Sequence, residues 1–411
     1  MREYGNRAAR RAPERRVEIT GVETCVVEGN FDWNLFRVHT DAGVTGLGES
    51  YRGGAVDAIA AYVEEFLVGE NPLDVERLFR LMVQETSGHG GTTGKVVTAA
   101  SGVEIALWDL AGKLLGVPAY QLLGGKYRDE VPVYVDLHAG ESFAVDHGAA
   151  DYGDADAYRP EAYVESAEGA LAANFSAMKF DLDTPTDNDP DPVNGRLTSA
   201  DVEAKRAVVA AVTDAVGTDA EVAFDCHWDY SFDSAKRLVG ALEPYDLMWL
   251  EDVLPPENAR AQRELARSTS LPLATGENRF RVHEFAELLY EFGVDVVTPD
   301  PTTVGGLAES KAIASRAEEN YVTVSPHNVC SPVGTMAVAH LCAAVPNVGH
   351  LEYHALDVPW WDDLLDRSEP LIADGTVSVP EAPGYGIALD DEVAREHATS
   401  WSDGFFEGGD A

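Results

Sequence analysis

Apolar residues recur at two different periods along this chain, and the texture changes near residue 131. In residues 17–50, VEITGVETCVVEG precedes WNLFRVHTDAGVTGLGES, with Asp41-Ala42-Gly43 between two apolar-rich runs. Short strands joined by three turn residues that include a glycine form a hairpin. Residues 54–86 and 97–123 carry apolar side chains at helical spacing, as in Ile59, Tyr62, Val63, Phe66 and Leu67. Strands followed by helices predict an α+β unit over residues 17–130.

From residue 131 onward, short apolar runs rich in β-branched residues alternate with helical stretches. The runs are VPVYVDLH (131–138), SAMKFDLD (176–183), EVAFDCHW (221–228), LMWLEDVL (247–254), LPLATGEN (271–278), VDVVTPDP (294–301), YVTVSPHN (321–328) and VGHLEYHA (348–355). Strands buried on both faces read as continuous apolar runs. Eight strand–helix repeats predict a TIM-type (β/α)8 barrel over residues 131–357. The segment 139–161 reads as an insertion after the first strand, and 183–200 as a polar, acidic surface loop. Residues 358–411 return to strands and turns and are expected to pack back on the N-terminal unit. Residues 1–16 are basic with no apolar segment behind them, which predicts a disordered tail rather than a signal peptide.

The ends of the runs carry the chemistry. From the third run onward each ends in an ionisable residue: Asp225, Glu251, Glu277, Asp300, His327 and Glu352, at gaps of 26, 26, 23, 27 and 25 residues. One strand, one helix and two loops fill such a gap. The spacing therefore brings six side chains to one barrel mouth, the C-terminal face where barrel active sites sit. Carboxylates gathered together repel unless a cation holds them. Asp225, Glu251 and Glu277, with no cysteine among them, suit a hard cation such as Mg²⁺, which takes about six oxygens; salt bridges to Lys or Arg are the alternative.

Asp300 beside His327 would fix the imidazole tautomer and raise its basicity, making a general base. His227 follows Asp225 by two residues, and on a strand such residues share a face, so His227 is a candidate acid. Lys179 and Asp181, ending the second run, could touch a substrate carboxylate or the metal carboxylates. Glu352 could hydrogen-bond a substrate carboxylate if protonated. A metal, a His–Asp base and a second His suit removal of a weakly acidic proton α to a carboxylate, followed by loss of a hydroxyl: dehydration of an α-hydroxy acid.

Charge changes the picture only around the barrel. The 71 Asp and Glu against 30 Lys and Arg give a formal net charge of −41, with 45% hydrophobic residues. Nucleic acid and anionic membranes would repel such a chain, while its apolar content is that of a globular protein. At molar salt the Debye length falls to about 3 Å, so −41 suits a salty cytoplasm and a halophilic source. Cys25, Cys226, Cys330 and Cys342 lie far apart, which argues against a disulfide framework or zinc cluster and for a reducing, cytoplasmic setting. No apolar run approaches the roughly 18 residues of a membrane span.

FDCHWDY, WLEDVLPPEN, TGENRF, TPDPTTVGG and SPHNVCSPVG, with SGVEIALWDLAGKLLGVPAYQLLGG (101–125), are together similar to the barrel signatures and the cap–barrel link of the enolase superfamily. Over residues 17–390 the chain resembles its mandelate racemase-like acid-sugar dehydratases, of the galactonate and gluconate type. The resemblance implies a modified (β/α)7β barrel under an N-terminal α+β capping domain completed by the C-terminal segment. It implies Mg²⁺ on Asp225, Glu251 and Glu277, the dyad Asp300–His327, Glu352 on the substrate carboxylate, and His227 expelling the 3-hydroxyl. Where many relatives carry Lys-x-Lys, this chain has Lys179-Phe180-Asp181, so a second base is missing and a one-base dehydratase is favoured over a racemase. The family's cap loops set specificity, which points to Trp33, Tyr51, Arg52 and His89, with Trp228, as substrate-binding residues.

The expected activity is therefore conversion of an aldonate, D-gluconate or D-galactonate first, into its 2-keto-3-deoxy acid. A pentonate such as xylonate or arabinonate is the alternative, followed by epimerisation of acid sugars and by a binding scaffold without activity. The partner is a small-molecule sugar acid, and relatives imply a homo-oligomer.

Overall fold

The computed structural model describes residues 16–89, 91–139, 158–184, 186, 194–290 and 293–406. The predicted basic tail up to residue 15, most of the 139–161 insertion and part of the 183–200 loop lie outside the described residues.

The cap begins with three antiparallel strands, β1 (Ile19–Glu28), β2 (Asp32–Thr40) and β3 (Thr45–Ser50). The predicted turn joins the last two, with Gly43 at φ 75° and its N–H donating to the Thr40 carbonyl at 3.1 Å. Two helices pack on this sheet, α1 (Val56–Leu67) and α3 (Lys95–Leu115), and α2 (Val75–Thr86) packs against both of them. A one-turn helix, α4 (Ala119–Leu122), leads into the barrel.

Each of the eight apolar runs holds a barrel strand, the first beginning one residue before its run. The strands are β4 (Glu130–Leu137), β5 (Ala177–Asp181), β6 (Glu221–Asp225), β7 (Trp249–Glu251), β8 (Leu273–Thr275), β9 (Val296–Val297), β10 (Thr323–Val324) and β11 (Leu351–Tyr353). Each pairs in parallel with the next from β4 to β10, and β11 pairs in parallel with β4. Between β10 and β11 the ladder thins to one parallel bridge, Val324 with Val348. The helices between strands are α5 (Pro160–Ala172), α6 (Ser199–Val216), α7 (Phe232–Leu242), α8 (Ala259–Ala266), α9 (Arg281–Tyr290), α10 (Pro301–Val304), α11 (Gly306–Glu319) and α12 (Pro332–Ala343).

The segment after the barrel divides its pairing. A hairpin, β12 (Ile372–Ala373) with β13 (Thr376–Ser378), joins the barrel through β4. After α13 (Asp391–Glu396), strand β14 (Ala398–Trp401) pairs with β1, so the cap sheet runs β14-β1-β2-β3. Packing on the N-terminal unit, as expected, comes from this last strand and from residues before it: Gly384 bridges Pro118 and accepts Ala119 N–H at 2.8 Å, and Tyr385 donates its N–H to Asp109 and its hydroxyl to the Ile105 carbonyl.

Cap carboxylates lock onto barrel helices. Glu49 at the end of β3 accepts the backbone N–H groups of Ser331 and Gly334 at 2.9 Å, at the start of α12. Glu104 on α3 accepts Leu307 N–H at 2.8 Å and Ala308 N–H at 3.0 Å, in the first turn of α11. Helix N-termini expose unpaired N–H groups and a partial positive charge, so buried carboxylates are held there. The four cysteines are free and buried, and no helix among the described residues is long and apolar enough to cross a membrane.

Candidate active site

The inside of the barrel is built in layers. Tyr134, Ala177, Ala223, Trp249, Ala274 and Val296 form a buried cluster, with Tyr134 and Trp249 edge to face at 5.4 Å. The alanines leave room for the two large rings. Two residues further along a strand the side chain returns to the same face, so the next layer is Asp136, Lys179, Asp225 and Glu251, all buried.

Lys179 is the hub of that layer. Its Nζ lies 2.7 Å from Glu352 Oε1, 3.1 Å from Asp225 Oδ2, 3.3 Å from Glu251 Oε2 and 3.8 Å from Asp136 Oδ2. Burial alone would depress its basicity, but Glu251, Glu352 and the other acids outweigh that, and its pKa sits well above the ordinary lysine value. Lys179 thus contacts the predicted metal carboxylates.

Asp225, Glu251 and Glu277 offer carboxylate oxygens that all lie within 4.8 Å of one another. Asp225 and Glu251 are closed off from solvent, and Glu277 is 8% exposed. Burial, then Asp225 and the other acids against the opposing pull of Lys179, pushes the Glu251 carboxyl up to about 7; burial also raises Glu277. Glu251 Oε1 is buried without a hydrogen-bond partner among the described residues. Three convergent oxygen donors, raised pKa values and an unpaired buried oxygen fit a hard divalent cation.

The predicted dyad assembles beside this trio. His327 Nδ1 lies 3.0 Å from Asp300 Oδ2, and His327 Nε2 lies 3.5 Å from Glu277 Oε2. Asp300 caps α10: its Oδ1 accepts Thr302 N–H at 2.7 Å and the Thr302 hydroxyl at 2.6 Å. The short helix therefore fixes the carboxylate that fixes the imidazole. Burial lowers the His327 pKa, yet Glu277, Glu352 and Asp300 more than reverse this and hold it well above 6.5. Glu352 differs from expectation. Its Oε2 accepts Asn328 N–H at 2.7 Å, and despite burial Lys179 and His327 hold its carboxyl below the usual range. Its surroundings favour a carboxylate, not the protonated donor the sequence suggested.

His227 reaches the mouth by a route other than the pleat. The strand stops at Asp225, and His227 and Trp228 adopt left-handed backbone, φ 38° and 53°. A tight turn, held by His227 N–H on Asp225 Oδ1 at 2.9 Å, aims the imidazole. Its Nε2 is 3.9 Å from Asp225 Oδ2, and its Nδ1 is 3.2 Å from Asp183 Oδ1 and 3.8 Å from Asp181 Oδ1. Burial would lower its pKa, but Asp225, Asp181 and Asp183 raise it well above the usual value. Asp181 also holds His138 Nδ1 at 2.9 Å through its Oδ2.

The cap closes the other side. Tyr51 lies 5.8 Å from the His327 ring, and the Arg52 guanidinium stacks over Phe31 at 4.2 Å. A cavity of about 180 Å³ beside His327 is lined by Tyr51, Lys95, Glu277 and Asp300, among others. Trp228 is half-buried with its ring edge-on to His227. Trp33 is not at this cavity's wall: it is 1% exposed, packs on Trp360, and donates its indole N–H to the Val329 carbonyl. The side chain of His89 lies outside the described residues. Sequence reasoning passed over Asp136, His138, Asp183, Lys95 and His354. The alternation Tyr134, Asp136, His138 in the first run was the signal for two of them.

Residues 162–393 match the family described as enolase C-terminal domain-like, and residues 24–124 match the mandelate racemase / muconate lactonizing enzyme N-terminal domain. A D-xylonate dehydratase of Haloferax volcanii is 47% identical over 386 residues, covering 93% of this chain and 89% of that protein. A D-galactonate dehydratase of Xanthomonas oryzae pv. oryzae is 31% identical over 390 residues, covering 90% and 92%. The crystal structure of a mandelate racemase/muconate lactonizing enzyme-like protein from Rubrobacter xylanophilus superposes with a TM-score of 0.87 at 43% identity, covering 93% and 98%. The chain therefore belongs to the enolase superfamily, with the N- and C-terminal domains of its mandelate racemase / muconate lactonizing enzyme branch.

Proposed function

We propose that this protein is a sugar-acid dehydratase that removes the C2 proton of an aldonate and expels its 3-hydroxyl. The reading rests chiefly on two imidazoles flanking one carboxylate trio. His327 Nε2 is 3.5 Å from Glu277, and His227 Nε2 is 3.9 Å from Asp225. Their strands, β10 and β6, stand four apart in a ring of eight, so the two groups approach a substrate from different sides. His327, with Nδ1 held by Asp300, takes the C2 proton at Nε2. His227 donates a proton to the 3-hydroxyl, which leaves as water, and the resulting enol relaxes to the 2-keto-3-deoxy acid. Asp225, Glu251 and Glu277 would hold Mg²⁺, which supplies positive charge to the substrate carboxylate and the developing enediolate. Lys179 compensates the surrounding carboxylates and, tied to four of them, is poorly disposed to act as a second base, which counts against epimerisation.

For substrate, a five-carbon aldonate of the xylonate class moves ahead of the hexonates favoured by the sequence alone. What supports this is the 47% identity to the D-xylonate dehydratase, against 31% to the D-galactonate dehydratase. Five- and six-carbon sugar acids should be assayed side by side with Mg²⁺ for 2-keto-3-deoxy product. Xylonate should give the highest kcat/KM; no product from any acid would end the reading.

A further inference from the structure

A second cluster of metal-ligating groups lies behind His227, on the side its Nε2 turns away from when it faces Asp225. Strand β5 ends at Asp181, and the chain runs on through Leu182 and Asp183. Residues two apart on an extended chain share a face, so the two carboxylates turn the same way while Leu182, 1% exposed, fills the core. Carbonyls pin the segment in place. Tyr163 donates its hydroxyl to the Asp181 carbonyl at 3.0 Å, and Tyr230 donates to the Leu182 carbonyl at 2.9 Å. Lys205 bridges the Leu182 and Thr184 carbonyls at 2.6 and 2.9 Å. The left-handed turn at His227 carries its imidazole to this fixed segment.

Asp181, Asp183 and His227 offer donor atoms that all lie within 4.8 Å of one another. His227 Nδ1 is 3.2 Å from Asp183 Oδ1 and 3.8 Å from Asp181 Oδ1. Donors on one tetrahedral ion with bonds near 2.1 Å stand about 3.4 Å apart, so the spacing already brackets that of a bound ion. Both Oδ1 atoms are buried, and no hydrogen bond reaches either among the described residues. Asp181 is only 7% exposed, and its other oxygen, Oδ2, is engaged at 2.9 Å by His138 Nδ1, which leaves Oδ1 aimed at the cluster. The nearby ammonium of Lys205 is turned to carbonyls, not to these acids. Buried carboxylates side by side repel unless a cation joins them. An imidazole with two carboxylates suits Zn²⁺ and its transition-metal neighbours, whereas the all-oxygen trio suits Mg²⁺.

We propose that Asp181, Asp183 and His227 Nδ1 form a second divalent-cation site, separate from the trio and suited to a borderline ion such as Zn²⁺. The ion takes the place of a hydrogen on Nδ1, which passes to water. The ring then keeps a single hydrogen, on Nε2, facing Asp225. Giving that hydrogen to a departing hydroxyl would leave an imidazolate instead of a neutral imidazole, so a filled site disables the acid. This consequence rests on the role of His227 proposed above; the site itself does not.

Mg²⁺-loaded protein dialysed against Zn²⁺, with Mg²⁺ kept in excess, should retain a tightly held zinc. Its crystals should show an anomalous peak at the zinc edge between the three residues. Asp183→Asn should weaken retention at least tenfold, because loss of even a group behind a ligand costs about 10- to 100-fold in metal affinity. Glu277→Gln, which damages the trio, should leave retention unchanged. Zinc found only in the trio or on surface acids, or retention lost in Glu277→Gln and kept in Asp183→Asn, overturns the proposal. The wild-type peak decides it even where a variant does not fold. With an aldonate present, zinc should stop formation of the 2-keto-3-deoxy acid while C2 deuterium exchange by His327 continues, and Asp183→Asn should escape that inhibition. If zinc sits in the cluster and dehydration runs on unslowed, the acid assignment of His227 fails and the site stands.

Discussion

Lys179 is almost sealed from solvent with four carboxylates around its ammonium. Removing one member of a buried ionic cluster leaves the others uncompensated, typically at about 3–5 kcal/mol. Lys179→Met should therefore lower stability in EDTA by that order in denaturant titrations, and Mg²⁺ should recover more melting temperature for the variant than for wild type. A variant as stable as wild type in EDTA would show that the acids are already neutral. At this scale the sequence was informative where residues end strands at regular gaps, because register does the placing. It was uninformative about His354 and His138, whose contact depends on closure between the first and last strands. For His227 it gave the right neighbourhood by an argument that fails, since left-handed backbone at residues 227 and 228 interrupts the pleat.

Between elements, the cap and barrel are joined by carboxylates seated on helix N-termini. Gly306 makes one seat possible: at φ 83°, a Cβ there would lie 1.9 Å from Glu104 Oε2. The motif TPDPTTVGG contains that glycine, but nothing in the sequence says that a glutamate two hundred residues earlier fills the space beside it. Burial pushes the Glu104 carboxyl from an ordinary 4.5 up to about 7, against the pull of Ala308 N–H, Trp108 and Leu307 N–H. Between those values the folded protein keeps a proton that the unfolded chain has released, so this group's contribution to stability falls as pH rises from about 4.5 to about 7. Comparing denaturant stability of wild type and Glu104→Gln across pH 5 to 8 checks this. The wild type should lose ground relative to the variant as pH rises; a constant difference would show that the helix N-terminus keeps Glu104 ionised throughout.

For the molecule as a whole, a formal charge of −41 acts as self-repulsion that salt can screen. Melting temperature should climb steadily as KCl goes from millimolar to molar; a flat response would detach the charge from any saline habitat. The fold itself was legible at this scale because eight buried strands leave eight apolar runs. How the C-terminal segment divides was not, since short edge strands carry little pattern. Its last strand has one more consequence, for the making of the protein. Ala398–Trp401 covers the edge of the first strand, Ile19–Glu28, from about 370 residues further along. A ribosome adding roughly 5–20 residues per second needs about 20–75 s to cover that distance. Throughout that time the edge of the first strand stays uncovered and open to strands of other chains, so the nascent cap is exposed to mispairing until the C-terminal strand arrives.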